Sequence, residues 1–129
     1  MSRRTELAEQ YGERVPAELD NVVSYLDELR LVVAKGEQNY LSDVLTQRAV
    51  EGILNRVGDT IRNRIPQGCR ERFGGEDHWS SWVGLRIVVT HKYHRINLTR
   101  IWLTLVNDAP EFRSFVKREV LGELDHGSS

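Results

Sequence analysis

V-L-T-Q-R-A-V-E-G-I-L-N-R-V-G-D-T-I-R-N-R-I, from Val44 to Ile65, is the stretch on which the fold turns. Val44, Leu45, Ala49, Val50, Ile53, Leu54, Val57, Ile61 and Ile65 recur at helical intervals, so one apolar stripe runs along a helix whose other side is polar. Ser42 or Asp43 can cap its first turn, and Pro66 with Gly68 ends it. A helix with one apolar face buries that face against other elements, and the flanking sequence supplies them.

Toward the N-terminus, Leu19, Val22, Val23, Leu26, Leu29 and Val33 form a second stripe. Pro16 suits its first turn, Glu18 and Asp20 complement the positive end of the helix dipole, and Gly36 stops it. Residues 1–14 are polar and read as a flexible arm or a frayed helical turn.

Toward the C-terminus, residues 66–78 carry Gly68, Gly74 and Gly75 and read as a connector with at most a short turn of helix. A third helix is expected from about Trp79 to Lys92, and a fourth from Leu98 to Asn107. Asp108 and Pro110 place a cap and a first-turn proline before a last helix bearing Phe112, Phe115, Val116 and Val120. Gly122 ends that helix, and residues 123–129 read as a flexible tail. No alternating strand pattern runs for more than a few residues, and no internal repeat is present. The expected fold is all-α: an antiparallel up-and-down bundle of four main helices plus a short C-terminal helix, over residues 15–122.

Composition narrows the classes of function. A chain of 129 residues supports one core, and a net charge of −1 gives no global attraction to nucleic acid or membrane. A polyanion would have to be held by a local cluster of cations. Cys69 is the one cysteine, which rules out an intramolecular disulfide and metal sites built on paired cysteines. Neither a metal nor a cofactor is expected. No apolar run approaches the roughly 18 residues of a membrane span, and the start, Met1-Ser2-Arg3-Arg4, leads into polar sequence. The expected location is the cytoplasm.

The third helix is unusual. Trp79, Trp82, Val83, Leu85, Ile87, Val88 and Val89 cover nearly its whole circumference, so burial by the bundle or by a second subunit is expected. Arg86 stands in the middle of that apolar surface, and an unpartnered buried guanidinium is costly. His91, Lys92, Tyr93, His94 and Arg95 follow at once. At about 100° per residue, Arg86 and Tyr93 lie within roughly 20° of each other, whereas His91 lies roughly 140° away from Arg86. The two meet through the arginine's long stem, a helix end or a second subunit.

Two readings of this group follow from the residues alone. An imidazole titrating near neutrality and a permanent cation are tools for cleaving a phosphodiester: a base for the 2′-hydroxyl and a charge for the phosphorane. Equally, a buried arginine paired to Asp27, Glu28, Glu51 or Asp59, with a histidine at a helix C-terminus, is an ordinary structural device.

The order of residues from Tyr40 to Phe112 adds to this. Leu45-Thr46-Gln47-Arg48-Ala49-Val50 precedes Ile53 and Gly58-Asp59, followed by Trp79, Gly84-Leu85-Arg86, His91-Lys92-Tyr93, Ile96, Trp102, Asn107-Asp108 and Pro110. In this order the chain resembles the HepT-like family of the HEPN superfamily, whose signature of arginine, four residues, histidine, one residue, tyrosine fits Arg86, His91 and Tyr93. The resemblance implies a helical bundle that forms a homodimer with two motifs lining a shared cleft. It also implies a metal-independent endoribonuclease toxin whose antitoxin is a minimal nucleotidyltransferase. Arg86 and His91 would be the cleavage residues, and Tyr93 the hydroxyl to which the antitoxin attaches AMP. Three positions depart from the family pattern: Ile87 stands where Asn or Asp is usual, Lys92 where the residue is often small, and Asp59 where glutamate is usual.

Lys92, His94 and Arg95 make a basic patch that suits an RNA backbone, or a solvated helix end. Arg62, Arg64, Arg70 and Arg72 read as solvated surface, Trp79, Trp82 and Trp102 as core or dimer interface, and His78 and His126 as incidental. Three functions are therefore open: an RNA-cleaving toxin, a catalytically weak nucleotide- or RNA-binding module motivated by Ile87, and a partner that docks a nucleotidyltransferase.

Overall fold

A computed structural model describes residues 2–90 and 95–124, leaving aside the side chains of 86–90, 95 and 96. The described residues are helical and contain no strand. In chain order the helices are α1 (Arg3–Tyr11), α2 (Val15–Ala34), α3 (Glu37–Ser42), α4 (Val44–Arg64), α5 (Gln67–Arg72), α6 (Glu76–Thr90), α7 (Arg95–Leu103) and α8 (Ala109–Phe115). A π turn at Thr104–Asp108 joins α7 to α8, and a second at Val116–Val120 continues α8.

The stripe of α4 is buried as its spacing requires: Val50, Ile53, Leu54, Val57 and Ile61 all lie in the core. Asp43 caps it, accepting from the Leu45 amide at 3.3 Å and the Thr46 hydroxyl at 2.6 Å. On α2, Leu19, Val22, Leu26 and Leu29 meet that stripe. Trp79 and Trp82 of α6 close the core against α8, Trp82 stacking on Phe112 at 5.1 Å and Trp79 meeting the same ring edge-on at 5.3 Å.

Side-chain contacts fix the directions. Along α2, Asp20 is tied through Arg4 to Glu123, Asp27 is bonded to Arg113, and Tyr40, just beyond, stacks on Trp102, so the C-terminal helical run descends as α2 ascends. Arg14 and Glu18 share a cleft with Arg64, while Leu31 and Val32 share one with Leu45 and Ala49, so α4 is antiparallel to α2. Gly74 lies against Phe115 and Trp82 against Phe112, so α6 also runs opposite to the C-terminal run. An antiparallel up-and-down bundle of α2, α4, α6 and the α7–α8 run results.

Two segments differ from the sequence reading. The first fourteen residues are not an arm: α1 carries the fully buried Leu7, Ser2 caps it, and Arg4 bonds both Asp20 and Glu123. One leucine in a polar nine-residue helix leaves no periodic stripe, which hid it. Glu123, assigned to the tail, is held by Arg4 and by its own amide on the Lys117 carbonyl at 2.8 Å; residues 125–129 lie outside the described ones. At Pro110 the helix runs on, and Asp108 makes no capping bond. The widened π turn just ahead accommodates a residue with no N–H to donate.

Candidate active site

The C-terminal end of α6, the start of α7, α3 and the first turns of α4 share one pole of the bundle, because α2 and α6 end where α4 and α7 begin. That pole is built around α3. Tyr40 is fully buried and stacks on Trp102 of α7 at 5.6 Å with 24° between the rings. Gln47 of α4 donates its side-chain N–H groups to the carbonyls of Tyr40 and Leu41 at 3.0 and 3.1 Å, satisfying the end of α3. The Thr46–Gln47 pair of the sequence motif is thus a corner brace: the Thr46 hydroxyl bonds Asp43, Gln47 bonds α3, and the first turn of α4 is fixed against the end of α3.

Position 86 is in the last turns of α6, the helix that ends at this pole. It lies on α6 seven residues after Trp79 and four after Trp82, so the helical register carries it in line with the two buried indoles. Elsewhere α6 is less enclosed than its composition suggests: Val83 and Leu85 are half-buried, and Ser80, Ser81 and Gly84 are exposed. His91, Lys92, Tyr93 and His94 lie outside the described residues, as do the side chains of Arg86 and Arg95.

The carboxylates considered as partners for Arg86 are distributed differently. Asp27 is taken by Arg113 at 2.5 Å and Arg30 at 3.3 Å. Glu28 is exposed on α2, and Asp59 is exposed on α4, where it accepts from Asn63 at 2.7 Å. Glu51 is half-buried on α4. Asn55, one turn after Glu51, was not singled out by the sequence. Its Oδ1 is buried and has no hydrogen-bond partner among the described residues. Only burial distinguishes it from a surface asparagine, and periodicity does not report burial at the edge of a stripe.

The second arginine cluster divides. Arg72 pairs with Glu6 at 2.5 Å, bonds Gln10, and lies over the Phe73 ring at 4.7 Å, tying α5 to α1. Arg70 pairs with Glu76. These two are structural, whereas Arg62 and Arg64 are exposed on the last turn of α4. All three tryptophans are buried within the chain, and His78 packs on Phe115 at 4.2 Å between ring centroids. Beside the pole, Leu31, Val44 and Leu45 are exposed, and Leu31 and Leu45 line an apolar cleft of about 250 Å³ with Val32 and Ala49.

A curated protein of Caldanaerobacter subterraneus subsp. tengcongensis, named "Putative RNase TTE0752", is 28% identical over 80 residues, covering 62% of this chain and 70% of its own. No solved structure matches the chain. The sequence model of the HepT-like ribonucleases matches residues 22–119, from within α2 through α8, a range that includes positions 86–93. The chain belongs to the HepT-like ribonuclease family.

Proposed function

We propose that this protein is an endoribonuclease that cleaves RNA without a metal, with Arg86 and His91 as the cleavage residues. The observation that supports the reading is the register of α6, which sets position 86 in line with the buried Trp79 and Trp82 near the end of the helix, five residues before His91 in the sequence. There, His91 takes the proton of a ribose 2′-hydroxyl, the oxygen attacks the adjacent phosphorus, and the P–O5′ bond breaks as the 5′-oxygen takes up a proton from the resulting imidazolium. The Arg86 guanidinium holds the extra negative charge of the phosphorane. Lys92, His94 and Arg95 hold the flanking backbone.

In the same proposal the enzyme is the toxin of a toxin–antitoxin pair and acts as a homodimer. The exposed Leu31, Val44 and Leu45 beside the motif give a second copy an apolar surface at the right pole. The antitoxin is a nucleotidyltransferase that attaches AMP to Tyr93. The adenylyl group sets a bulky anion beside Arg86 and His91, where it competes with the RNA phosphate. No helix among the described residues is long and apolar enough to cross a membrane, which accords with a cytoplasmic toxin.

Purified protein should degrade RNA with EDTA present, and His91→Ala should abolish this while leaving the helical circular dichroism unchanged. Full activity in that variant overturns the proposal. Co-expression with a small nucleotidyltransferase encoded in an adjacent reading frame should add the mass of AMP to Tyr93, and an unmodified Tyr93 removes the toxin–antitoxin part. Ile87 favours a second reading, a weakly catalytic RNA-binding module; RNA binding without cleavage, with cleavage appearing in Ile87→Asn, selects it.

A further inference from the structure

We infer that the groove between the first half of α2 and the last half of α4 is a second binding site for RNA phosphates, holding the chain several nucleotides away from the cleavage motif. It rests on the reading of this protein as an RNA-cleaving enzyme, and its starting point is the way the arginines are paired. Every arginine of α1, α2 and α5 meets a carboxylate. The arginines of α4 do not: Arg48, Arg56, Arg62 and Arg64 are exposed, and their side chains form no ion pair or hydrogen bond among the described residues. The same holds for Arg14, just ahead of α2.

Three of these cations meet in one place. Arg14, Arg56 and Arg64 line a polar cleft of about 300 Å³ together with Asn21, Tyr25 and Thr60. Thr60 is the one buried polar residue among the described residues, at 7% exposure, and its hydroxyl has no partner there. A helical threonine commonly satisfies its hydroxyl on the carbonyl one turn back. Here that bond is not made, and the hydroxyl is left to donate into the cleft. The amide of Asn21 and the phenol of Tyr25 are likewise without a partner among the described residues. Guanidinium, hydroxyl and amide donors with no internal acceptor suit a ligand that brings several acceptor oxygens, as a phosphodiester does.

The shape favours a chain over a small molecule. A second cleft, reaching Tyr11 and Asn63, shares Arg14, Glu18 and Arg64 with the first, so the two form one elongated groove. Pockets for small ligands enclose most of the ligand surface, whereas a single strand is tracked along a cationic groove. The groove is also too far from the motif to take the reacting phosphate. At about 1.5 Å of rise per residue, Arg56 stands roughly 18 Å and Arg64 roughly 30 Å along α4 from Val44, at the pole where α6 ends. Arg48 lies on the way, within roughly 80° of Arg56 around the helix, with Gly52 between them. A Cβ at Gly52 would meet nothing within 4 Å, so this face of α4 is unobstructed.

Glu18 and Asp59 line the same cleft, and Asp59 accepts from Asn63. Three guanidinia against two carboxylates leave the cleft positive by one charge. Local excess of this kind is what a chain with a net charge of −1 needs to hold a polyanion.

The test measures RNA affinity and cleavage on the full-length protein. Arg14→Gln/Arg56→Gln/Arg64→Gln should weaken binding of a single-stranded RNA of about 20 nucleotides by about 10- to 100-fold at physiological salt, and flatten the slope of log affinity against log salt by about 2. Binding of a trinucleotide should change little. In cleavage of the long RNA, KM should rise by the same factor with kcat unchanged. Glu18→Gln should act in the opposite direction and tighten the long RNA. The three arginines are exposed and unpaired, so the unfolding midpoint should hold; each single variant, flattening the slope by about 0.7, reads the same site if the triple is destabilised. Arg62→Gln/Arg100→Gln/Arg118→Gln, which removes three exposed arginines elsewhere, should cost clearly less. Equal losses in the two triples, equal losses for the long RNA and the trinucleotide, or unchanged long-RNA affinity in the first triple overturn the site. Loss of a nucleotidyltransferase partner with RNA affinity intact would give the groove to a protein and overturns it as well. Should the wild-type protein bind RNA without cleaving it, the cleavage proposal falls, while the affinity comparison still decides the groove.

Discussion

Tyr40 and Trp102 stack across the pole of the bundle, rings 5.6 Å apart and 24° from parallel, and this contact joins α3 to α7. In the sequence α7 begins just after His91 and Tyr93, the residues proposed for cleavage and modification. Trp102→Ala is expected to cost about 3–5 kcal/mol in urea unfolding, the range for large aromatic truncations in a core. In a cycle with Tyr40→Ala the two effects should couple by about 0.5–1.5 kcal/mol. Cleavage should fall in Trp102→Ala even at temperatures where the variant stays folded. Full activity there would separate the brace from the motif.

The N-terminal helix makes a second expectation concrete. Leu7 is fully buried, and Arg4 joins Asp20 of α2 to Glu123 at the chain's other end, both carboxylates holding its guanidinium protonated more firmly than usual. Leu7→Ala should lose about 2–5 kcal/mol, as core leucine truncations do. Arg4→Ala should lose less, its partners being largely exposed. Removal of residues 2–12 should lower the unfolding midpoint more than either substitution, and an unchanged midpoint would restore the reading of that segment as an arm.

Legibility in the sequence followed the strength of the periodic signal. The stripes of α2 and α4 bury many residues at helical spacing, and both helices begin and end within a few residues of where caps and breakers place them. α3 is six residues between Gly36 and Asp43, too short for a stripe, and its reality rests on Gln47 reaching back from the next helix. Pro110 falls in the first turn of α8 as its sequence position indicates, but the capping bond expected of Asp108 is absent and a π turn that no local pattern announces carries the helix on from α7. Arg86, proposed for cleavage, was legible because an arginine amid tryptophans and valines violates the pattern around it. Asn55 was not, since an asparagine at the edge of a polar flank violates nothing until its burial is seen.

Cys69 is fully buried in α5, and burial pushes its thiol up to about 11 from 9.0, against the opposing pull of Arg72 and Arg70. The native protein should therefore react slowly with a disulfide reagent at pH 8 and fully once unfolded. The neutral thiol is favoured in the folded state, so its contribution to stability is intact below pH 9.0 and is lost as pH rises toward 11. Cys69→Ala should remove that alkaline slope in unfolding measured from pH 8 to pH 11. A fast native reaction would mean that α5 opens readily.

Asp43 titrates in the other direction. The Thr46 hydroxyl, followed by the Leu45 amide, holds its carboxyl below the ordinary value of 3.8. A lowered folded-state value stabilises at pH above 3.8, and the effect disappears as acid carries the pH down through the folded value. Asp43→Asn keeps a capping oxygen but removes the charge, so it should flatten the acid limb by lowering stability at neutral pH, and change little once the pH is low enough to protonate Asp43. Thr46→Val should move the same limb toward that of Asp43→Asn. An unaltered acid limb in both variants would show that the cap contributes no pH dependence.

Arg86→Lys keeps the charge of the proposed phosphate-binding residue and removes its planar fork. If the site needed only positive charge, lysine would serve, since an ammonium reaches a phosphate as a point charge. Position 86, however, follows the buried Trp79 and Trp82 along α6, where a side chain has to be held by directional bonds to be useful. A guanidinium can bond a protein acceptor with one edge and a phosphate with the other, which an ammonium on a flexible stem does less well. Arg86→Lys should therefore lower kcat by about 100-fold, comparable to losing an oxyanion donor, and leave the salt dependence of RNA binding nearly unchanged. Arg86→Leu should lose cleavage altogether and reduce that salt dependence by about one counterion. Equal activity of the lysine variant and the wild type would mean that charge alone serves at this position, and the case for an oriented guanidinium would fall with it.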